Sequence, residues 1–465
     1  MKLLEHLFVV ASRRAYFFIF LTALAIRMVN AVFMSGESEW AMLEDADHYW
    51  RGAQAWIDKG PMTHMSVPGV YMPQTERVPL YHIFLIPFRW LFGDSVLPAL
   101  MGQALVDAGT CVVITALGAM LGPSVGIVAG LLAAIWPNLI VHSGMILGDT
   151  LFVFLISLLL LYSAKFLIHC RVSDLAVAGL ICGLAIMTRP IAFFLPISMA
   201  VVALFVPIIH KRNCRMAVVM PVIFLAVSLL PSLPLAVRNL TQFDSLQLTS
   251  QGGAHLLNWV VGLSRAQLEG RTFEDVSNEL SLEFDFRMKE NATDITQLNP
   301  FEKSRLLTSF ALEKLQEVPL YDLVKVWLQN GAINLAVPAI LGDPRIRRMQ
   351  GTSYLATTGD NLLERIVNFL GGNPSAYMAL FLGGAAIAVI ALVLQIGGYV
   401  LLLKHSPWAG FFAGLVLLYF LLANGPIFLP KYRLPMEPVL IVLQALAVVS
   451  VWRFLCRARS SAMTV

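Results

Sequence analysis

Apolar runs about 20 residues long recur ten times along this chain, and nothing else in the sequence narrows its possible folds as much. They cover residues 15–34, 95–121, 124–141, 150–169, 174–188, 190–209, 216–236, 376–403, 408–424 and 435–455. Each approaches the length needed to cross a hydrocarbon core of about 30 Å. In lipid a lone segment must satisfy its own backbone hydrogen bonds, so each run is expected to be a helix. Composition agrees: 58% of the 465 residues are hydrophobic and 13% charged, against about 25% charged in soluble domains. The expectation is an all-α polytopic membrane protein of about ten transmembrane helices. Arg13 and Arg14 precede the first run as in a secretory signal, but no small-residue cleavage site follows cleanly and many further spans do. The first run therefore reads as a transmembrane helix.

Basic residues orient the spans. Lys2, Arg13, Arg14, Lys165, Arg171, Lys211, Arg212, Arg215, Lys404, Arg453, Arg457 and Arg459 fall on one side, which the positive-inside rule makes cytoplasmic. Both termini are then inside, and two hydrophilic regions face out. These divide the chain into 1–236, an N-terminal transmembrane catalytic module with a first outer loop at 35–94; 237–375, a long outer region with interfacial helices; and 376–465, the C-terminal transmembrane helices. The run "RIRR" (Arg345–Arg348) is basic yet outside, which long loops tolerate. The nearby stretch "LYDLVKVWLQNGAINLAVPAIL" is either a surface-lying helix or an eleventh membrane element. A net charge of +4, with basic residues at helix ends, gives no nucleic-acid footprint. The five cysteines show no metal-type spacing and read as free thiols.

The first outer loop carries the chemistry. "LEDADHYWRGAQAWIDKG" (Leu43–Gly60) sets Glu44, Asp45 and Asp47 just outside the first span. Tyr49, Ala53 and Trp56 then recur at helical steps, as in a helix lying in the membrane interface. A helix cap with dipole-favoured charges accounts for one of these carboxylates, not three. "QTERVPLYHIFLIPFRWLFG" (Gln74–Gly93) follows, with Glu76 and Arg77 ahead of a second aromatic amphipathic stretch.

Asp-x-x-x-Tyr after the first span, then Glu-Arg-x-Pro-Leu-Tyr, resembles the C-type glycosyltransferases that use lipid-linked sugars. The closest branch holds protein O-mannosyltransferases and lipid A aminoarabinose transferases. "GDTLFVFL" (Gly148–Leu155), "LAIMTRP" (Leu184–Pro190), "RNLTQFDSLQLTSQGGAHLLNWVVG" (Arg238–Gly262) and "PKYRLPMEPVL" (Pro430–Leu440) match in the family's order. The family often has Asp-Glu at the first motif. Here Glu44 precedes Asp45, and the register to Tyr49 aligns Asp45 with the family's catalytic aspartate, Asp47 being the substitute.

The resemblance implies an inverting transfer of a sugar from a polyprenyl phosphate to a hydroxyl or amine of a glycan, lipid or protein, on the periplasmic face of a bacterial inner membrane. Attack by such an acceptor needs a carboxylate base: Asp45, with Glu76 orienting the acceptor or sharing its proton. Charge growing on the leaving phosphate calls for fixed cations, here Lys431 and Arg433. Tyr49, Arg77, Arg189, Arg238, Asn258 and Tyr432 are the further substrate-binding expectations, although a structural ion pair serves Arg189 or Arg238 equally well. Asp149 reads as a helix cap and Gly252–Gly253 as a turn. Arg27, inside the first span, either faces Asp45 or the phosphate, or snorkels to the surface. Asn291-Ala292-Thr293 is a sequon. The histidines lack metal-protease spacing; this branch requires no cofactor, although Asp45 and Asp47 are suited to a divalent cation. The alternative class, a transporter or flippase, calls for repeats and mid-membrane charges; no repeat is visible, and the conspicuous carboxylates lie outside the spans.

Overall fold

A computed structural model of the chain describes residues 13–43, 45–291 and 294–462. Glu44, and Ala292 and Thr293 of the sequon, lie outside the described residues. Among the described residues, eight helices are long and apolar enough to cross a membrane: Arg13–Gly36, Leu97–Ala119, Asp149–His169, Pro190–Ile209, Cys214–Phe243, Ser375–His405, Pro407–Asn424 and Pro430–Cys456. A ninth is a bent pair, Pro123–Ala134 with Pro137–Ser143, at 48°. Pro137 explains the bend, since it lacks an N–H and pushes the residue before it out of the helical region; Trp136 has ψ 116°.

The remaining expected span is shorter than the length criterion. Val172–Ile186 has 15 residues, about 22 Å of helix. Arg189 pairs with Asp149 beyond one of its ends, and His210 Nε2 lies 2.9 Å from the Leu167 carbonyl oxygen beyond the other. The short helix therefore runs from one end of the bundle to the other, antiparallel to its sequence neighbours. Buried Phe152, Ile156, Ala178, Ala185, Met199 and Phe420 belong to the apolar core between these helices.

Arg27 does neither of the things expected of it. It is fully buried, with Nε 2.5 Å from Asp107 Oδ2, and it donates to the carbonyls of Ala134 (2.5 Å) and Ala133 (2.9 Å). Those carbonyls lie in the last turn of the helix that ends at the bend, where helix geometry leaves acceptors short of partners; that of Ala133 also accepts from Trp136 N–H at 3.3 Å. One cation thus neutralises an intramembrane carboxylate and caps a broken helix.

The two hydrophilic regions meet at one end of the bundle. Arg348 of the basic run pairs with Glu37 and Glu39, each at 2.6 Å, and lies over the Trp40 ring. The run is thereby matched by acidic residues at the end of the first span. The ambiguous apolar stretch forms the helix Leu320–Ala336. Its Leu320 (76%) and Leu328 (70%) are exposed, while buried Asn330 and Asn334 donate to the carbonyls of Pro426 and Ile427. Exposed Lys325 interrupts the outward apolar side, and buried Val326 joins the asparagines on the inner one.

In the first loop, helix Ala46–Lys59 packs on helix Leu80–Phe92. A Cβ on Gly52 would sit 2.5 Å from His82 Nε2, so glycine sets this approach. Between the helices lies an antiparallel hairpin, Thr63–Val67 with Val70–Pro73, turned at Pro68–Gly69. Gly69 has φ +85°, as the second central position of a type II turn requires.

Candidate active site

Asp45 stands at the start of helix Ala46–Lys59 but makes no side-chain cap bond. Its Oδ1 accepts instead from Arg77 Nη2 at 2.7 Å. Among the described residues no donor reaches Oδ2, and 43% of the side chain is exposed. Arg77 also donates through Nη1 to Gln251 Oε1, and its guanidinium carbon lies 5.8 Å from the centre of the buried Tyr49 ring. A carboxylate open on one side and clamped on the other is the result.

The segment around Arg77 is fixed from three directions. Gln74 N–H donates to Met62 O (2.7 Å), Ser250 N–H to Thr75 O (2.8 Å) and Leu80 N–H to Met187 O (2.9 Å). Arg238 donates to the Gln74 carbonyl at 2.8 Å and so works as a brace for this loop. The first outer loop, the "MTRP" break and the Gly-Gly segment thereby converge.

The other two carboxylates point elsewhere. Asp47 pairs with Arg51 at 2.8 Å, and Glu76 is exposed, 3.9 Å from His48 Nδ1. Asp45 and Asp47 turn to different arginines, so they do not offer one shared cation site. Among the described residues no three His, Cys, Asp or Glu side chains gather as a metal site.

Behind Asp45 lies a histidine cluster. His48 stacks on His64 with ring centres 4.0 Å apart and contacts Gln74 Nε2 at 3.1 Å. Burial, then His64 and Arg77, lower its pKa to about 4. His82, buried against Trp56, is pushed down to about 3, by burial first and then by His48.

His255 marks where cations meet. It is exposed to solvent, and its pKa is lowered by its enclosed position first, then by Arg189, Lys431 and Arg77. The exposed surface beside His255 is the candidate cleft. Arg189 pairs with the buried Asp149, as the ion-pair reading expects. Lys431 lies 5.4 Å from the centre of the Tyr432 ring, and the Tyr432 carbonyl accepts from Asn424.

Two expected residues are not brought to this cleft. Arg433 is buried; its Nε donates to Glu437 at 2.8 Å, and its Nη1 to the carbonyls of Asn334, Leu335 and Val337. Held this way, it locks the last span to the C-terminal end of helix Leu320–Ala336. Asn258 accepts from Ser277 Oγ at 3.4 Å, against the helix Phe273–Glu290. The sequence reading passed over Gln251 and His255 as site residues, although both flank the Gly-Gly pair it quoted.

Residues 76–236 match the family described as dolichyl-phosphate-mannose-protein mannosyltransferase. The fold is similar to that of the archaeal oligosaccharyltransferase AglB from Archaeoglobus fulgidus, solved with an inhibitory peptide and a dolichol-phosphate. The TM-score is 0.51 at 14% identity, over 96% of this chain and 52% of that one. Its apo form gives 0.50 at 14% identity, over 96% and 52%. This chain thus spans about half the length of the archaeal protein. ArnT from Cupriavidus metallidurans bound to undecaprenyl phosphate is similar at a TM-score of 0.38 and 14% identity, over 94% of this chain and 78% of that one; so low a score carries no argument. No curated protein sequence matches. Family match and fold together bear out the resemblance to C-type membrane glycosyltransferases.

Proposed function

We propose that this chain is a membrane glycosyltransferase that moves a sugar from a polyprenyl-phosphate donor to an acceptor hydroxyl or amine of a glycan, lipid or protein. The single observation that carries this is a half-exposed carboxylate, Asp45, clamped by Arg77. Acceptor attack on the anomeric carbon needs a base, and Asp45 takes the acceptor proton. As the carbon–oxygen bond to the lipid phosphate breaks, negative charge collects on the phosphate, and fixed cations stabilise it. That task falls to Arg77, Arg189 and Lys431, each partly exposed, rather than to Arg433, which is buried. Attack by the acceptor opposite the leaving phosphate inverts the anomeric carbon. Glu76, exposed at the rim, meets the acceptor. No step in this reaction needs a metal ion.

The Lys/Arg distribution supports cytoplasmic termini and a reaction on the periplasmic face of a bacterial inner membrane. The transporter reading gains nothing from the Arg27–Asp107 pair. It is shut off from solvent and bonded to helix carbonyls, unlike the charges that line a transport path. Lipid extracts of a strain lacking the protein test the proposal. A polyprenyl-phosphate sugar should accumulate while a sugar-poor acceptor appears; an unchanged lipid profile contradicts it.

A further inference from the structure

Arg365 is buried without a carboxylate. It lies on the helix Leu362–Gly371 with only 3% of its surface exposed, and its Nε and Nη2 have no hydrogen-bond partner. Its guanidinium carbon lies 5.0 Å from the centre of the Tyr354 ring. Burial pulls its pKa down, opposed by Tyr354. Buried N–H groups are nearly always paired, and each unpaired one calls for an explanation. Nε and Nη2 form one edge of the guanidinium, the edge whose two parallel N–H groups grip an oxyanion bidentately.

The surroundings place this edge at the lipid headgroup layer. Leu363 (72%) and Val367 (57%) expose the helix's apolar side, as in a helix lying in the membrane surface. Four residues after Gly371 the span Ser375–His405 begins, which fixes the depth. The loop over Arg365 is held by Asn368 Nδ2 to Thr358 O (3.0 Å), Asp360 N–H to Glu364 Oε2 (3.1 Å) and a long Gly359 N–H to Gly270 O (3.4 Å). Its ends are tied by Thr357 Oγ1 to Ser353 O (2.9 Å), Glu364 N–H to Asn361 Oδ1 (2.9 Å) and Arg365 N–H to Asn361 O (3.0 Å); the two unpaired N–H groups beneath it favour its opening to an anion. We infer that Arg365 is the anchor of a phosphate-binding site at the membrane surface, reached by displacement of the 357–361 loop and separate from the cleft around Asp45. Phosphate comes either from a bilayer lipid headgroup or from a soluble phosphate compound.

Thermal unfolding of the purified full-length protein in neutral detergent tests this, in two arms. One adds phosphatidylglycerol, with diacylglycerol of the same chains as the phosphate-free control; the other adds inorganic phosphate, with chloride at equal ionic strength. Phosphatidylglycerol should raise the Tm of the wild type and diacylglycerol should not. Arg365→Met should weaken apparent lipid binding at least about ten-fold, as expected for losing charge-assisted hydrogen bonds, and Arg365→Lys should fall between. A matching rise with inorganic phosphate alone assigns the site to soluble phosphates. Ligand-free Arg365→Met should melt no lower than wild type, since it removes a buried unpaired charge, so lost binding cannot be put down to misfolding. Equal stabilisation of wild type and Arg365→Met, or no phosphate-dependent rise in either arm, overturns the inference.

Discussion

At the scale of single residues, partners decide role more than residue type does. Arg77 and Arg433 are both arginines near the loop end of the bundle. One faces a half-exposed carboxylate; the other is buried among carbonyls and Glu437. Arg433→Ala leaves Glu437 buried without its cation, a loss of about 3–5 kcal/mol for a broken buried pair. The Tm should therefore drop sharply while donor binding per folded molecule stays near wild type. Lost donor binding at an unchanged Tm would return Arg433 to the phosphate. The sequence held part of this answer, because Glu437 lies four residues after Arg433, a spacing that pairs on a helix. The three carbonyls come from a helix about 100 residues earlier, and no local pattern announces them. Asp107 was equally visible as a lone carboxylate in a span, but its partner Arg27 is 80 residues away.

Among the elements, helix Ala46–Lys59 was legible because its aromatic residues repeat at helical steps, and the spans were legible by length alone. The hairpin at 63–73 was not, since four- and five-residue strands with no buried face leave little periodicity. The histidines that join hairpin and helices give this loop a dependence on pH. His48 is held neutral, with a folded pKa of about 4 against about 6.5 unfolded. Between those values the unfolded state binds the extra proton, so stability falls as pH falls from about 6.5 to 4 and levels off below. Thermal unfolding across that range should show the loss, and His48→Gln should reduce it; an identical pH slope in the variant contradicts the assignment. For the bent span, Asp107→Leu strands Arg27 in the membrane and should cost more stability than Arg27→Leu with Asp107→Leu together. Equal costs would mean that the pair is not coupled.

Over the whole molecule, the helical bundle brings together residues from the first loop, the "MTRP" break, the Gly-Gly segment and the last span. Order and sidedness of those motifs could be read from the sequence, and they suffice to gather Asp45, Arg77, Arg189 and Lys431 at one end. Side-chain direction was not readable: Asp45 and Asp47, two residues apart, point to different arginines. Base and cation divide the labour in the proposed reaction, and one paired measurement separates them. Binding of a polyprenyl-phosphate sugar and its turnover are measured on the same preparations of wild type, Asp45→Asn and Arg77→Gln. Asp45→Asn should bind the donor near normally and turn over about 100-fold more slowly or worse. Arg77→Gln should lose donor affinity as well as rate, because phosphate charge is stabilised in the ground state and the transition state alike. Full turnover by Asp45→Asn, or donor binding lost there and kept in Arg77→Gln, would contradict the assignment of base and cation.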